Sequence, residues 1–396
     1  MSDSPPPWPP PPPRPPDAPR FPPTSAAEPA PGPCVHGGGF FEAVGEAFDD
    51  LRRHEQVINA DVLDAWFPPS PRIAAAIAPH LEWLIATSPP TGCEGLVRTV
   101  ADVRGVPEAN VLPGAGSSDL IYLALRTRLA SSSRVLLLDP TYGEYSHLLA
   151  KVVGCRVERF PLRRDEGYRI DPARFAARVA EGFDLVVVVN PNSPTGVHFD
   201  RAALESVIRG APPATGFWID ETYVEYAGPG ASLERFAAAS ASTLVCKSMS
   251  KVYALSGMRA AYLVGPEAVV AQLRALTPPW AVGLIAQVAA VEALRDPSYY
   301  DARWKETHAL RADLERSLAA DLRADVVRGG ANFVLFHLPG GAPPAAEVVR
   351  RSRERGLYGR DFPEMASLGP AALRVAVKDG PTNARMLAIL RDAVRA

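Results

Sequence analysis

At 396 residues the chain has room for two domains, and a net charge of −2 with a pI near 6.4 gives no basic field for nucleic acid or an anionic membrane surface. Its four cysteines are far apart, show no CxxC spacing and are too few to staple a fold this large, so they read as reduced cytoplasmic thiols. No apolar run approaches the ~20 residues needed to cross a bilayer, and the N-terminus lacks a basic segment followed by an apolar one; small-molecule partners are expected, and no metal.

Sixteen of the first 33 residues are proline. Proline removes backbone donors and fixes φ without supplying a core-forming pattern, which predicts a disordered tail over 1–33. An N-terminal arm follows over 34–75, with a helix expected through FFEAVGEAFDDLRR and a proline-punctuated AWFPPSP. From 76 to 285, helical patterns alternate with five short aliphatic runs: SRVLLLDP, FDLVVVVNPN, GFWIDE, STLVCKS and RAAYLVG. Each run is continuous rather than alternating, the pattern of a strand buried on both faces of a mainly parallel sheet. The fold class is therefore α/β, with an open sheet in a large domain. Residues 286–396 read as a smaller α+β domain, with helices over 291–294 and 303–322 and strands in ANFVLFHLP and ALRVAV.

In open α/β sheets ligands bind beyond the carboxyl ends of the strands. The segments there are PTYGEY, NPNSPTG, DETYVEY and SMSK. The last contains Lys251, one of only five lysines among 42 basic residues. An ion pair at this position would be served by arginine. An amine that must lose its proton and attack a carbonyl would not, because guanidinium stays protonated.

Taken singly, these stretches have ordinary explanations: a surface lysine, a serine N-cap in GAGSSD, a tight loop in NPNSPTG, a capping aspartate at Asp220. Together they describe one ligand. Gly116, Ser117 and Ser118 open a helix whose free N–H groups suit a phosphate, and Ser248, Ser250 and the planar fork of Arg259 complete the cup. Asp220 suits a protonated pyridine nitrogen, Tyr223 and Asn192 a phenolate oxygen, and Tyr142 offers a ring for stacking. The cofactor these parts fit is pyridoxal 5′-phosphate, with Lys251 forming the Schiff base.

NPNSPTG, DETY, SMSKVYALSGMR and ALRVAV, in this order, resemble the motifs of the class I/II aminotransferases of fold type I, the histidinol-phosphate aminotransferase-like subgroup in particular. The similarity runs from about Pro69 to the C-terminus. It implies the same cofactor roles and adds Arg374 on the substrate α-carboxylate, with Asn332 in the substrate set. It also implies a homodimer, since sites of this type are built at a subunit interface, with the stretch from Ala65 to Pro71 as the piece lent across. Arg360 matches the position from which such enzymes reach a substrate phosphate; its ordinary alternative is an ion pair with Asp361 or Glu364.

Three positions depart from the family pattern. Ser193 stands where many relatives carry a second asparagine, so the ring-oxygen contact is assigned to Asn192. Phe67 lacks the hydroxyl of a family tyrosine, and Trp280 enlarges a Pro-Tyr-Asn-like segment. Trp280 is included among substrate contacts, and an aromatic amino acid competes with a phosphorylated one as substrate. Two other readings stay open: a decarboxylase or lyase on the same scaffold, for example acting on an amino-acid phosphate, and a non-catalytic binding protein with an aminotransferase body.

Overall fold

The computed structural model describes residues 37–395; the expected tail over 1–33 lies outside the described residues. Seven strands form the large sheet: β1 (Val111–Gly114), β2 (Arg134–Asp139), β3 (Arg156–Pro161), β4 (Leu185–Val189), β5 (Gly216–Asp220), β6 (Thr243–Ser248) and β7 (Ala261–Val264). Their spatial order is β1-β7-β6-β5-β4-β2-β3. The pairs β3–β2, β2–β4, β4–β5 and β5–β6 are parallel, whereas β7 is antiparallel to both β6 and β1.

The continuous aliphatic runs have a direct cause. In β4, Leu185, Val187 and Val189 point into one core with Trp218, while Val186 and Val188 point into the other with Phe217 and Ile219. Both faces are covered, so neither carries polar residues. Each fully buried valine or leucine contributes on the order of 1.5–3 kcal/mol relative to exposure. The helices Pro172–Val179 and Arg201–Gly210 lie between strands in sequence and start at aspartate caps: Asp171 and Asp200 accept from the amides of Arg174 and Ala203.

Two sheet strands lack an aliphatic signal. β1 is four residues long and contains Pro113. β3, RVERFP, is an edge strand with mostly exposed or half-buried residues. The helix expected through 40–53 is also broken. A turn of helix spans Phe41–Val44, Gly45 follows at φ 98°, and a separate 3₁₀ segment runs Leu51–Gln56. A left-handed residue at Gly45 cannot continue a right-handed helix.

Beyond the large sheet, the helix expected at 291–294 begins earlier, spanning Leu284–Leu294. Its sequence is apolar nearly all round, which hides the helical period. The next helix spans Pro297–Leu322 with proline in its first turn, where a missing N–H costs nothing. A four-stranded antiparallel sheet orders Arg360–Asp361, Ala372–Ala376, Phe333–His337 and Asp325–Val326. Arm residues Ile58–Asn59 pair in parallel with Leu357–Tyr358.

The stretch 65–71 is held by its own chain. Trp66 Nε1 donates to Thr307 Oγ1 at 2.8 Å, the Ser70 amide donates to the Tyr300 hydroxyl at 3.1 Å, and Phe67 is 2% exposed with its ring against Tyr300. Phe67 is thus a core residue of this chain. No helix among the described residues is long and apolar enough to cross a membrane.

Candidate active site

The parallel strands end on one edge, and β7 starts there because it runs the other way. Ser248 pairs with Ala261 on β7, which pairs in turn with Gly114 on β1. This register brings the ends of β1, β4, β5 and β6 and the entry to β7 around one cavity of about 290 Å³.

Its floor is a cradle for an anion. The helix Ser117–Arg128 opens with Ser117 and Ser118 after Gly116, whose φ is +92°. The Arg259 guanidinium lies so close to Gly116 that a Cβ there would stand 2.3 Å from its Nη2. Ser248, Ser250, Ser117 and Ser118 line the same cavity, and the Ser118 hydroxyl donates to Glu144 at 3.0 Å. First-turn N–H groups, hydroxyls and one arginine fork are the donor set a phosphate monoester requires.

At the other end Asp220 is 3% exposed. One carboxylate oxygen accepts from the Thr222 amide at 3.0 Å and its hydroxyl at 2.6 Å; the other accepts from the Tyr145 hydroxyl at 2.8 Å, and that hydroxyl accepts from Trp218 Nε1 at 2.7 Å. Burial pushes the Asp220 carboxyl above its usual range, against the pull of these donors. A cationic ring N–H would restore the charged form. Tyr142 faces the cavity, its hydroxyl donating to Glu144 at 2.7 Å. Burial raises the Tyr223 phenol well above normal, so it stays protonated at neutral pH and has a proton to donate.

Lys251 Nζ donates to the Val62 carbonyl at 2.8 Å and to Asp64 Oδ1 at 2.9 Å. Burial lowers its pKa, Asp64 works against that, and Arg374 and Arg259 add to it. Arg374 is half-buried, and loss of solvation lowers its pKa. It donates to the Asp61 carbonyl at 3.0 Å and to Ser193 Oγ at 3.2 Å, and packs 5.5 Å from the rings of Phe333 and Phe362. Its Nε has no hydrogen-bond partner, and among the described residues no carboxylate pairs with it.

Most sequence-predicted residues meet here, but four are placed differently. Asn192 does not line the cavity. Its amide donates to the Pro140 carbonyl and Thr195 Oγ1 and accepts from Thr141, which fixes the loop. Ser193 is the residue that faces the cavity, beside Tyr223. Asn332 is fully buried and holds the arm by donating to the Leu63 carbonyl at 2.8 Å. Trp280 is 55% exposed and outside the cavity lining. Arg360 lines an adjoining recess of about 60 Å³ with Glu144, Glu364 and Met365, and pairs with Glu364 at 2.9 Å.

The sequence reading missed the arm: Asp61, Val62 and Leu63 line the cavity and Asp64 bonds Lys251. The two polar residues of DVLD, three apart before AWFPPSP, were the available signal.

A family description, Aminotransferase class I and II, matches residues 84–391. The histidinol-phosphate aminotransferase of Moorella thermoacetica is 30% identical over 276 residues, 69% of each chain. That of Staphylococcus aureus is 30% identical over 328 residues, 82% of this chain and 88% of the relative. The crystal structure of histidinol-phosphate aminotransferase from Sinorhizobium meliloti in complex with pyridoxal-5′-phosphate superposes with a TM-score of 0.76 at 21% identity, covering 84% of this chain and 89% of that one.

Proposed function

The chain belongs to the class I and II aminotransferases, pyridoxal-phosphate enzymes that move an amino group between an amino acid and a 2-oxo acid, and we propose that it does so with Lys251 as the reactive amine and Arg374 as the anchor of the substrate α-carboxylate. Bound in the cavity, the cofactor supplies the electron sink for the carbanion left when the substrate Cα loses its proton. Lys251 Nζ is the base that takes this proton, and its burial favours the neutral form that a base needs. Asp220 holds the ring nitrogen charged, Tyr223 donates to the ring oxygen with Ser193 beside it, and Ser117, Ser118, Ser248, Ser250 and Arg259 take the phosphate.

Arg374 carries the substrate assignment. A half-buried guanidinium whose Nε is buried and unbonded, with no carboxylate partner among the described residues, is suited to a planar anion. An amino-acid panel read by half-reaction spectra tests it. Arg374→Ala should weaken every α-carboxylate substrate by on the order of 2–5 kcal/mol and leave an amine without a carboxylate unaffected; equal loss for both would remove Arg374 from carboxylate binding. Release of a 2-oxo acid with consumption of an acceptor is the expected product pattern, whereas carbon dioxide without an acceptor would make the protein a decarboxylase. Borohydride should fix the cofactor to Lys251.

We also infer that the active unit is a homodimer. Leu81, Trp83 and Ile85, in the helix Leu81–Ala86, are 44%, 60% and 68% exposed, an apolar surface that a second copy would cover. Sedimentation at assay concentration tests this.

A further inference from the structure

Four consecutive arm residues each give an oxygen to the site. The Asp61 carbonyl accepts from Arg374, the Val62 carbonyl from Lys251, the Leu63 carbonyl from Asn332, and Asp64 Oδ1 from both Lys251 and Ser256 Oγ, the last at 2.6 Å. The other Asp64 oxygen accepts from Asn59 Nδ2 at 3.3 Å. Two of the donors, Lys251 and Arg374, are those read above as serving cofactor and substrate. Only one of these contacts is an ion pair between side chains, and it falls on the amine.

We propose that Asp64 is a further functional residue: in the chain without cofactor it is the counter-ion of the Lys251 ammonium form, which it docks on the segment 61–64. This rests on Lys251 being the reactive amine. The charged groups facing Nζ are Asp64 from the arm, Arg374 from the small sheet, Arg259 from the loop before β7 and, next to Asp64, Lys378. Asp64 favours the ammonium form, and Arg374 and Arg259 oppose it; Asp61 and Asp220 line the same cavity. Burial raises its carboxyl, but Lys251, the Ser256 hydroxyl and Lys378 hold it below the usual carboxylate range, so it is charged at neutral pH. Loss of solvation pushes half-buried Lys378 down to about 8, with the charge of Asp64 working against it.

Two consequences follow. Neutralising Asp64 makes the free amine more nucleophilic at a given pH. The arm is also tied down by the amine itself, so its order depends on whether that amine is engaged elsewhere.

The test uses the full chain stripped of cofactor, which separates it from any failure of the turnover assay. With only five lysines in the chain, reductive methylation with labelled formaldehyde and peptide mapping resolves Lys251. Its modification rate against pH should shift to lower pH in Asp64→Asn, giving about a tenfold higher rate near pH 7.5 for a one-unit shift, and return towards wild type in Asp64→Glu. Superposed wild-type and Asp64→Asn profiles would overturn the proposal, as would equal shifts in the Asn and Glu variants, which would signal lost structure rather than lost charge. Hydrogen exchange in Lys251→Ala should be several-fold faster in peptides covering 61–66 and unchanged in β4; an unaltered arm would sink the docking claim. If borohydride labelling places the cofactor elsewhere while the Asp64 shift is found, the counter-ion stands and the reading of Lys251 does not.

Discussion

Nη2 of Arg259 occupies the space that any side chain on Gly116 would need, 2.3 Å from an ideal Cβ. The φ of +92° at Gly116 is also one that L-residues rarely adopt. Gly116→Ala should therefore displace the guanidinium from the phosphate cradle and strain the turn by roughly 1–3 kcal/mol. Cofactor titration should show affinity lower by about tenfold or more, with the protein still folded by circular dichroism. Unchanged affinity would mean that Arg259 does not hold the phosphate.

A second site of strong electrostatics lies behind Asp220. Lys247 is 1% exposed and meets Glu225 at 2.7 Å, Glu221 at 3.6 Å and Glu234 at 3.9 Å, while Arg104 meets Glu225 at 3.0 Å and Glu234 at 3.4 Å. Three carboxylates share two cations. Among the described residues Glu221 has no arginine partner; burial raises it to about 7, while Arg104 and Lys247 hold Glu234 below its usual range. A carboxyl whose folded pKa is raised stabilises the fold while protonated, and that stability is lost as pH rises from about 4.5 through about 7. In Glu221→Gln this loss should vanish. The stability difference between variant and wild type, from urea unfolding at pH 5 and pH 8, should grow on the order of 3 kcal/mol in favour of the variant.

The sequence made legible what depends on local pattern. Continuous runs such as LVVVV announced a strand covered on both faces, and the helix-opening GAGSSD and the Lys251–Arg259 segment stood at strand ends where the chemistry is. Three features were hidden because they depend on contacts far apart in the chain. Asp64 is one acid among 44, and it becomes the partner of Lys251 only across a separation of 187 residues. Asn192 and Ser193 are adjacent in one loop, and nothing local says which turns to the cavity; the Pro140 carbonyl and Thr141 hydroxyl of another loop, with Thr195 of its own, claim Asn192. The edge strand RVERFP has one neighbour and keeps its charges, so its pattern is not that of the central strands.

Removing residues 1–33 should leave kcat/KM within about twofold of the full chain. The arm contacts that touch Lys251 and Arg374 begin at Asp61, well after this segment. A larger loss, measured with saturating cofactor, would give the proline-rich segment a role in the chemistry.

We propose that Arg360 and Glu364 govern what the far end of a substrate can be. Their 2.9 Å ion pair lines the recess beyond Tyr142, with Glu144 on the same wall. A substrate with a distal anion must compete with Glu364 for Arg360, whereas an aromatic side chain need not. Arg360→Ala should therefore lower kcat/KM only for phosphorylated or carboxylated side chains, by roughly 1.5–3 kcal/mol. Glu364→Gln should act in the opposite sense, releasing the guanidinium and raising kcat/KM for the same substrates up to about tenfold. Neutral aromatic substrates should be nearly indifferent to both changes. Steady-state comparison of an amino acid with its phosphorylated counterpart reads both variants at once, and parallel losses for the two substrates would show that the pair merely holds the recess together.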